Sequence, residues 1–141
     1  MLALAAILLA VRLLPEGEGQ AVEWQDLSSQ VGPLTIIRPE QQVFRDRSKL
    51  EEYLEGAKTT RPVPAVDFST SQLLIVSPGP RSSTGYSVDV LSARKRGEGI
   101  TVRVREHSPR LRAEVRARVT YPFRLISLPA GSDVYVDWVG R

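Results

Sequence analysis

From Tyr86 onward the chain alternates apolar and polar residues. Tyr86, Val88 and Val90 point one way, and Ser87 and Asp89 the other. Ile100, Val102 and Val104 alternate with Thr101, Arg103 and Arg105. Leu111, Ala113, Val115, Ala117 and Val119 alternate with Arg112, Glu114, Arg116 and Arg118. A helix would scatter these apolar positions over every face, so the period of two predicts strands. Val134, Val136 and Trp138 predict a last strand, and the apolar run Leu73 to Val76 a central one. "RKRGEG", Arg94 to Gly99, reads as a hairpin turn. Earlier, "VEWQDLSSQ" fits a short strand, and Leu34 to Ile37 a strand that Pro39 ends or confines to an edge by removing a donor. One helix is expected in "DRSKLEEYLEG". Asp46 or Ser48 can cap it, Leu50, Tyr53 and Leu54 share a face, and Gly56 supplies a stop. The proline-rich connector "TTRPVPAVDFSTSQ" follows. The pattern predicts a mostly β (α+β) fold: a small antiparallel β-sandwich or open barrel with one inserted helix.

The N-terminus departs from this pattern. Leu2 to Val11 is an unbroken apolar run of ten residues. A bilayer span needs ~20 residues, whereas the apolar region of a secretory signal needs ~7–15. No lysine or arginine precedes the run, and no clear Ala-x-Ala site follows it. The alternative is a short buried helix or strand of the domain itself. Pro15 to Gln20 is polar and rich in breakers, as a linker would be. The organisation expected is residues 1–19 as a hydrophobic signal or anchor plus linker, and 20–141 as a single β domain. The location expected is secreted, periplasmic or envelope-associated, with membrane anchoring through residues 1–14.

The length of 141 residues suits one domain, since chains of this size bury roughly 68–70% of their unfolded surface. There is no cysteine. That excludes disulfides, thiolate metal sites, a cysteine nucleophile and lipid attachment through cysteine. Charge is uneven: residues 1–57 hold five basic and nine acidic residues, whereas residues 81–124 hold eleven basic and four acidic. Such asymmetry can mark an anionic partner.

Catalytic chemistry is poorly supplied. His107 is the only histidine, and no G-x-S-x-G pattern accompanies it. Glu51 and Glu52 are adjacent on a helix and point apart. "RKRGEG" lacks P-loop spacing. No catalytic, metal or cofactor residue is expected. If the strands around 100–106 and 111–119 form a hairpin, Arg103 and Arg105 share a solvent face with Arg112, Arg116 and Arg118. Like charges facing each other are unfavourable, so this face is a candidate anionic contact. It carries no aromatic residue for base stacking, which argues against nucleic acid.

The remaining candidate is a loop surface. Gly85 permits a turn in the polar stretch Ser82, Ser83, Thr84, and Tyr86 follows with its ring expected on the core side. Tyr121, Pro122 and Phe123 sit where an alternating strand ends, and Arg124 comes next. Ser83, Thr84, Gly85, Tyr86, Tyr121, Pro122, Phe123 and Arg124 are expected at one end of the fold, as a patch for a protein partner.

These segments taken together resemble a known family. The order "VDFSTSQLLIV", "SSTGYSVDV", "ITVRVREHSP", "VTYPFRLISLP" is similar to the PrcB C-terminal domain family over roughly Val66 to Pro129, more weakly back to 46–56. The resemblance implies a non-enzymatic, exported or envelope-associated bacterial protein that associates with and supports a protease. Many members are lipid-anchored, and the lack of cysteine leaves that feature without a counterpart here. A second likeness supplies the alternative. "RSSTGY" is similar to the Asn-Pro-Thr-Thr-Gly-Tyr loop of chagasin-like cysteine-protease inhibitors, with Thr84, Gly85 and Tyr86 matching. Arg81 and Ser82 stand where Asn-Pro is expected, and "YPF" keeps only the proline of an Arg-Pro-Trp loop. An enzyme would need His107 buried beside a serine or carboxylate. Oligomeric state is not legible.

Overall fold

The computed structural model describes residues 19–140. The expected N-terminal segment lies almost wholly outside them. Eight strands and two helices follow in the order β1 (Gln20–Ala21), β2 (Gln25–Asp26), α1 (Ser28–Val31), β3 (Glu40–Phe44), α2 (Arg47–Gly56), β4 (Ser71–Ser77), β5 (Ser87–Arg96), β6 (Gly99–His107), β7 (Arg124–Pro129) and β8 (Asp133–Trp138). They form two four-stranded sheets, ordered β1-β5-β6-β8 and β2-β7-β4-β3.

The sheets pack face to face. Leu74, Val76, Ile126 and Leu128 of one meet Val88, Ala93, Ile100, Val102 and Val104 of the other. A second core lies on the outer face of the β2-β7-β4-β3 sheet. There Leu73, Ile75 and Leu125 pack with Leu50 and Leu54 of α2 and with Val31, Leu34 and Ile36. Strand β4 is thus buried on both faces. This is why its sequence is a continuous apolar run, while β6, buried on one face, alternates. The molecule is a β-sandwich with α2 and its flanking segments as a third layer.

Helix α2 forms as the sequence directs. Asp46 caps it, its Oδ1 accepting from the Lys49 N–H at 2.9 Å. Leu50 and Leu54 are buried on one face. The β5–β6 hairpin turns at Gly97, whose φ of 57° sits in the left-handed region.

Three expectations are corrected. The apolar run Leu34 to Ile37 is not a strand. Leu34 and Ile36 are buried beneath α2 while Ile37 is exposed, and the ladder starts only at Glu40, after Pro39. The start of the domain holds a one-turn helix, α1, as well as the two-residue strand β2. Third, no strand forms over Leu111 to Val119. β6 pairs with β5 on one side and with β8 on the other, so it has no free edge for its successor. The β8 pairing is parallel, an exception to the expected antiparallel pattern. β8 turns Val134, Val136 and Trp138 toward the core. The competing segment has alanine at two of its five alternating apolar positions, Ala113 and Ala117, and each buried methylene is worth about 0.8 kcal/mol.

Candidate functional site

The two loops singled out from sequence meet at one end of the sandwich. Arg81 and Thr120 form an isolated antiparallel bridge, with N–H to carbonyl distances of 2.8 and 2.9 Å. The Thr120 hydroxyl donates to the Ser83 carbonyl at 2.8 Å. The Thr84 N–H donates to the Arg116 carbonyl at 3.1 Å, and the Arg116 N–H donates back to the Thr84 hydroxyl at 2.9 Å. Below them, the buried Ser77 hydroxyl donates to the Pro122 carbonyl at 2.8 Å. The polar run Ser82 to Thr84, which strand initiation leaves unexplained, is therefore the tie between these loops.

Tyr86, Ser87 and Val88 on one side and Tyr121, Pro122, Phe123 and Arg124 on the other line an open cleft of about 470 Å³. Ser28, Ser29, Gly32, Pro33 and Arg61 form its remaining wall. Sequence reasoning missed this wall. Its only local signal is the small, breaker-rich "SSQVGP". Gly32 has a φ of 68°, and a Cβ there would stand 2.9 Å from Arg61 Nε, so glycine lets the Arg61 side chain cross to the Ser29 carbonyl.

The structure sorts the candidates by what each side chain touches. Tyr86 precedes β5 rather than starting it. Its ring is half-buried and lies under the Arg81 guanidinium, 5.8 Å from its Cζ. Phe123 packs against the α2-side core. Arg124 is a clamp between sheets: Nε donates to the Val88 carbonyl at 2.6 Å, and the guanidinium lies 3.4 Å from Asp26 and 3.9 Å from Asp89. Tyr121 is half-buried in the cleft wall. Gly85, with φ at 96°, is exposed but flanked, since a Cβ there would meet Pro109 Cγ at 2.9 Å and Val115 Cγ1 at 3.2 Å.

The expected arginine face is not assembled. With no strand over 111–119, Arg112, Arg116 and Arg118 lie on an exposed arm while Arg103 and Arg105 lie on β6. In register, Arg105 faces Asp89 across β5, and Arg103 faces Asp137 across β8 with its Nε 3.4 Å from the carboxylate. Neighbouring aspartates, and not opposed arginines, answer this charge.

His107 lies opposite Ser87 in register, with Nε2 2.6 Å from Asp89 Oδ2 and both side chains close to half exposed. That is a half-exposed surface pair, not the buried one the sequence reading asked for. Among the described residues no group of three or more histidine, aspartate or glutamate side chains is placed to hold a metal. No helix of the described residues is long and apolar enough to cross a membrane.

Cleft and fold together define a small β-sandwich carrying an aromatic- and arginine-lined concavity at one end. Residues 73–129, from within β4 to the end of β7, match the protein-family model described as PrcB C-terminal. The match falls within the stretch whose motifs resemble the family. No curated protein and no solved structure matches the chain.

Proposed function

We propose that this is a non-enzymatic, exported protein-binding domain. It associates with a protease partner and supports it, using the end of the sandwich where the Ser83–Tyr86 and Tyr121–Arg124 segments meet. The observation that carries this reading is the pinning of those two loops by the Arg81–Thr120 bridge and the Thr84–Arg116 pair. A surface held rigid before binding loses little entropy on association. Its half-buried tyrosines, Tyr86 and Tyr121, are of a residue type that carries much of the energy at such interfaces. The match to the PrcB C-terminal family model supports a protease as partner. Direct inhibition by insertion of the Thr84-Gly85-Tyr86 loop is disfavoured, because Thr84 spends its N–H and hydroxyl on Arg116.

Full-length chain used as bait in an envelope extract should recover a protease by mass spectrometry, and Tyr121→Ala should lose it. Recovery of no protease, or equal recovery by the variant, would overturn the reading.

A further inference from the structure

The arm between β6 and β7 is built like a strand without being one. All side chains from Arg110 to Val119 are exposed, and Leu111 projects fully into solvent. Its sequence alternates as a half-buried strand does, yet the backbone of Val115 and Ala117 pairs with no described strand. In an extended chain, neighbouring residues turn their backbone groups to opposite edges. Arg116 spends its edge on Thr84, which leaves the opposite edge, at Ala113 and Val115, for another strand once the turn that closes the Ala113 N–H on the Arg110 carbonyl at 2.9 Å opens. Elsewhere β8 ends its sheet, paired only with β6 among the described strands. Such an edge is a template for another chain.

The two edges match in charge and spacing. On the outer face of β8, Asp133, Tyr135 and Asp137 are all exposed. The arm reads Arg112-Ala113-Glu114-Val115-Arg116, against Asp133-Val134-Tyr135-Val136-Asp137. With Glu114 across from Tyr135, both aspartates face an arginine whether the strands run parallel or antiparallel. Ala113 and Val115 then fall beside Val134 and Val136 on the inner face. A shift of two residues would set one aspartate against Glu114. Opposite charges across a pair are favourable and like charges are not. Within one molecule the arm is tied to Arg81 and Thr84, on the β5 side of the sheet and two strands from the free edge of β8.

We infer that the arm of one molecule adds as a strand to the β8 edge of a second copy. The contact is head-to-tail, with Arg112 and Arg116 meeting Asp133 and Asp137. It goes beyond protease binding, using a different surface. Asp137 would then sit between the incoming arginine and its own Arg103.

Two differently tagged full-length chains, co-expressed, solubilised and captured through one tag, test it. Wild-type chains should capture each other. Arg112→Glu with Arg116→Glu on both chains should lower capture at least tenfold, and Asp133→Arg with Asp137→Arg on both should do the same. One arm-reversed chain mixed with one edge-reversed chain should restore capture, which a merely misfolded variant would not. Failure of wild-type chains to capture each other, as when the arm takes a different acidic protein, would overturn the inference. So would capture that survives either reversal, which would assign it to another surface such as residues 1–14, or absence of rescue in the mixture.

Discussion

Arg81 grips the Glu106 carboxylate with two parallel hydrogen bonds, Nε to Oε2 at 2.7 Å and Nη2 to Oε1 at 2.8 Å. Glu106 continues the inward-facing series Ile100, Val102, Val104 to the point where the sandwich core ends. Its side chain is only 15% exposed, so its charge needs a partner. Donating to the Glu106 carboxylate holds the Arg81 guanidinium above its ordinary value, which keeps it charged. Arg81 also bridges Thr120 and covers Tyr86. One residue thus closes the core and fixes the patch.

Arg81→Lys keeps the charge but loses the planar fork. It should cost about 1–3 kcal/mol, the range for a poorly satisfied buried polar group. Denaturant titration of the two proteins checks this, and an unchanged midpoint would mean the fork contributes nothing.

Gly85→Ala should also destabilise. The left-handed region costs a non-glycine residue roughly 1–2 kcal/mol. The added methyl would further press on Pro109. The comparison that isolates this is Ser83→Ala, in the same loop, where backbone geometry poses no such conflict. A thermal melt of Gly85→Ala matching that control would show that the loop relaxes freely.

How much of this was legible in the sequence differs from element to element. α2, β4, β5 and β6 follow from local pattern because each pattern is satisfied locally or by a neighbour in sequence, and β8 follows from its alternation although its partner, β6, is not its neighbour. That the Ser82–Tyr86 turn and the Tyr121–Arg124 segment would lie at one end follows from two strand–loop junctions, whereas the Thr120 hydroxyl that ties to Ser83 carried no signal. Two further things were not readable. Period two in 111–119 reports that a strand can form there, but not whether an edge is free to take it, and β8, late in the chain, decides that. The Arg61 and Gly32 wall is assembled from residues far apart in sequence with no motif to mark them.

Alkaline pH should expose the role of Tyr53. Burial pushes its hydroxyl from the ordinary 10.0 up to about 12, with the Glu40 carboxylate adding to this and Arg38 opposing it. The neutral ring is thus favoured in the folded state. Between the two values the unfolded chain has lost this proton and the folded chain keeps it, so stability falls as pH rises. The contribution is fully present below pH 10.0 and is lost as pH rises toward about 12. Tyr53→Phe keeps the ring that lies 5.2 Å from Phe44. Urea midpoints taken at about pH 9 and about pH 11.5 should fall less for Tyr53→Phe than for wild type. Equal falls would remove Tyr53 from the account.

Tyr121 and Phe123 lie two residues apart and line the same cleft, yet they should behave differently. Phe123 packs against the core that holds Leu50, Leu54 and Leu125. Truncating a buried phenylalanine costs ~3–5 kcal/mol, and partial exposure places Phe123→Ala toward the lower end. Tyr121 is not part of that packed cluster. Tyr121→Ala should therefore leave the melting temperature nearly unchanged while removing about 2 kcal/mol of partner binding, as a central aromatic anchor would. Melting curves and binding isotherms on both variants, with binding expressed per folded molecule, separate the two effects. A Tyr121→Ala protein that melts early but binds normally would place the ring in the scaffold and the partner elsewhere.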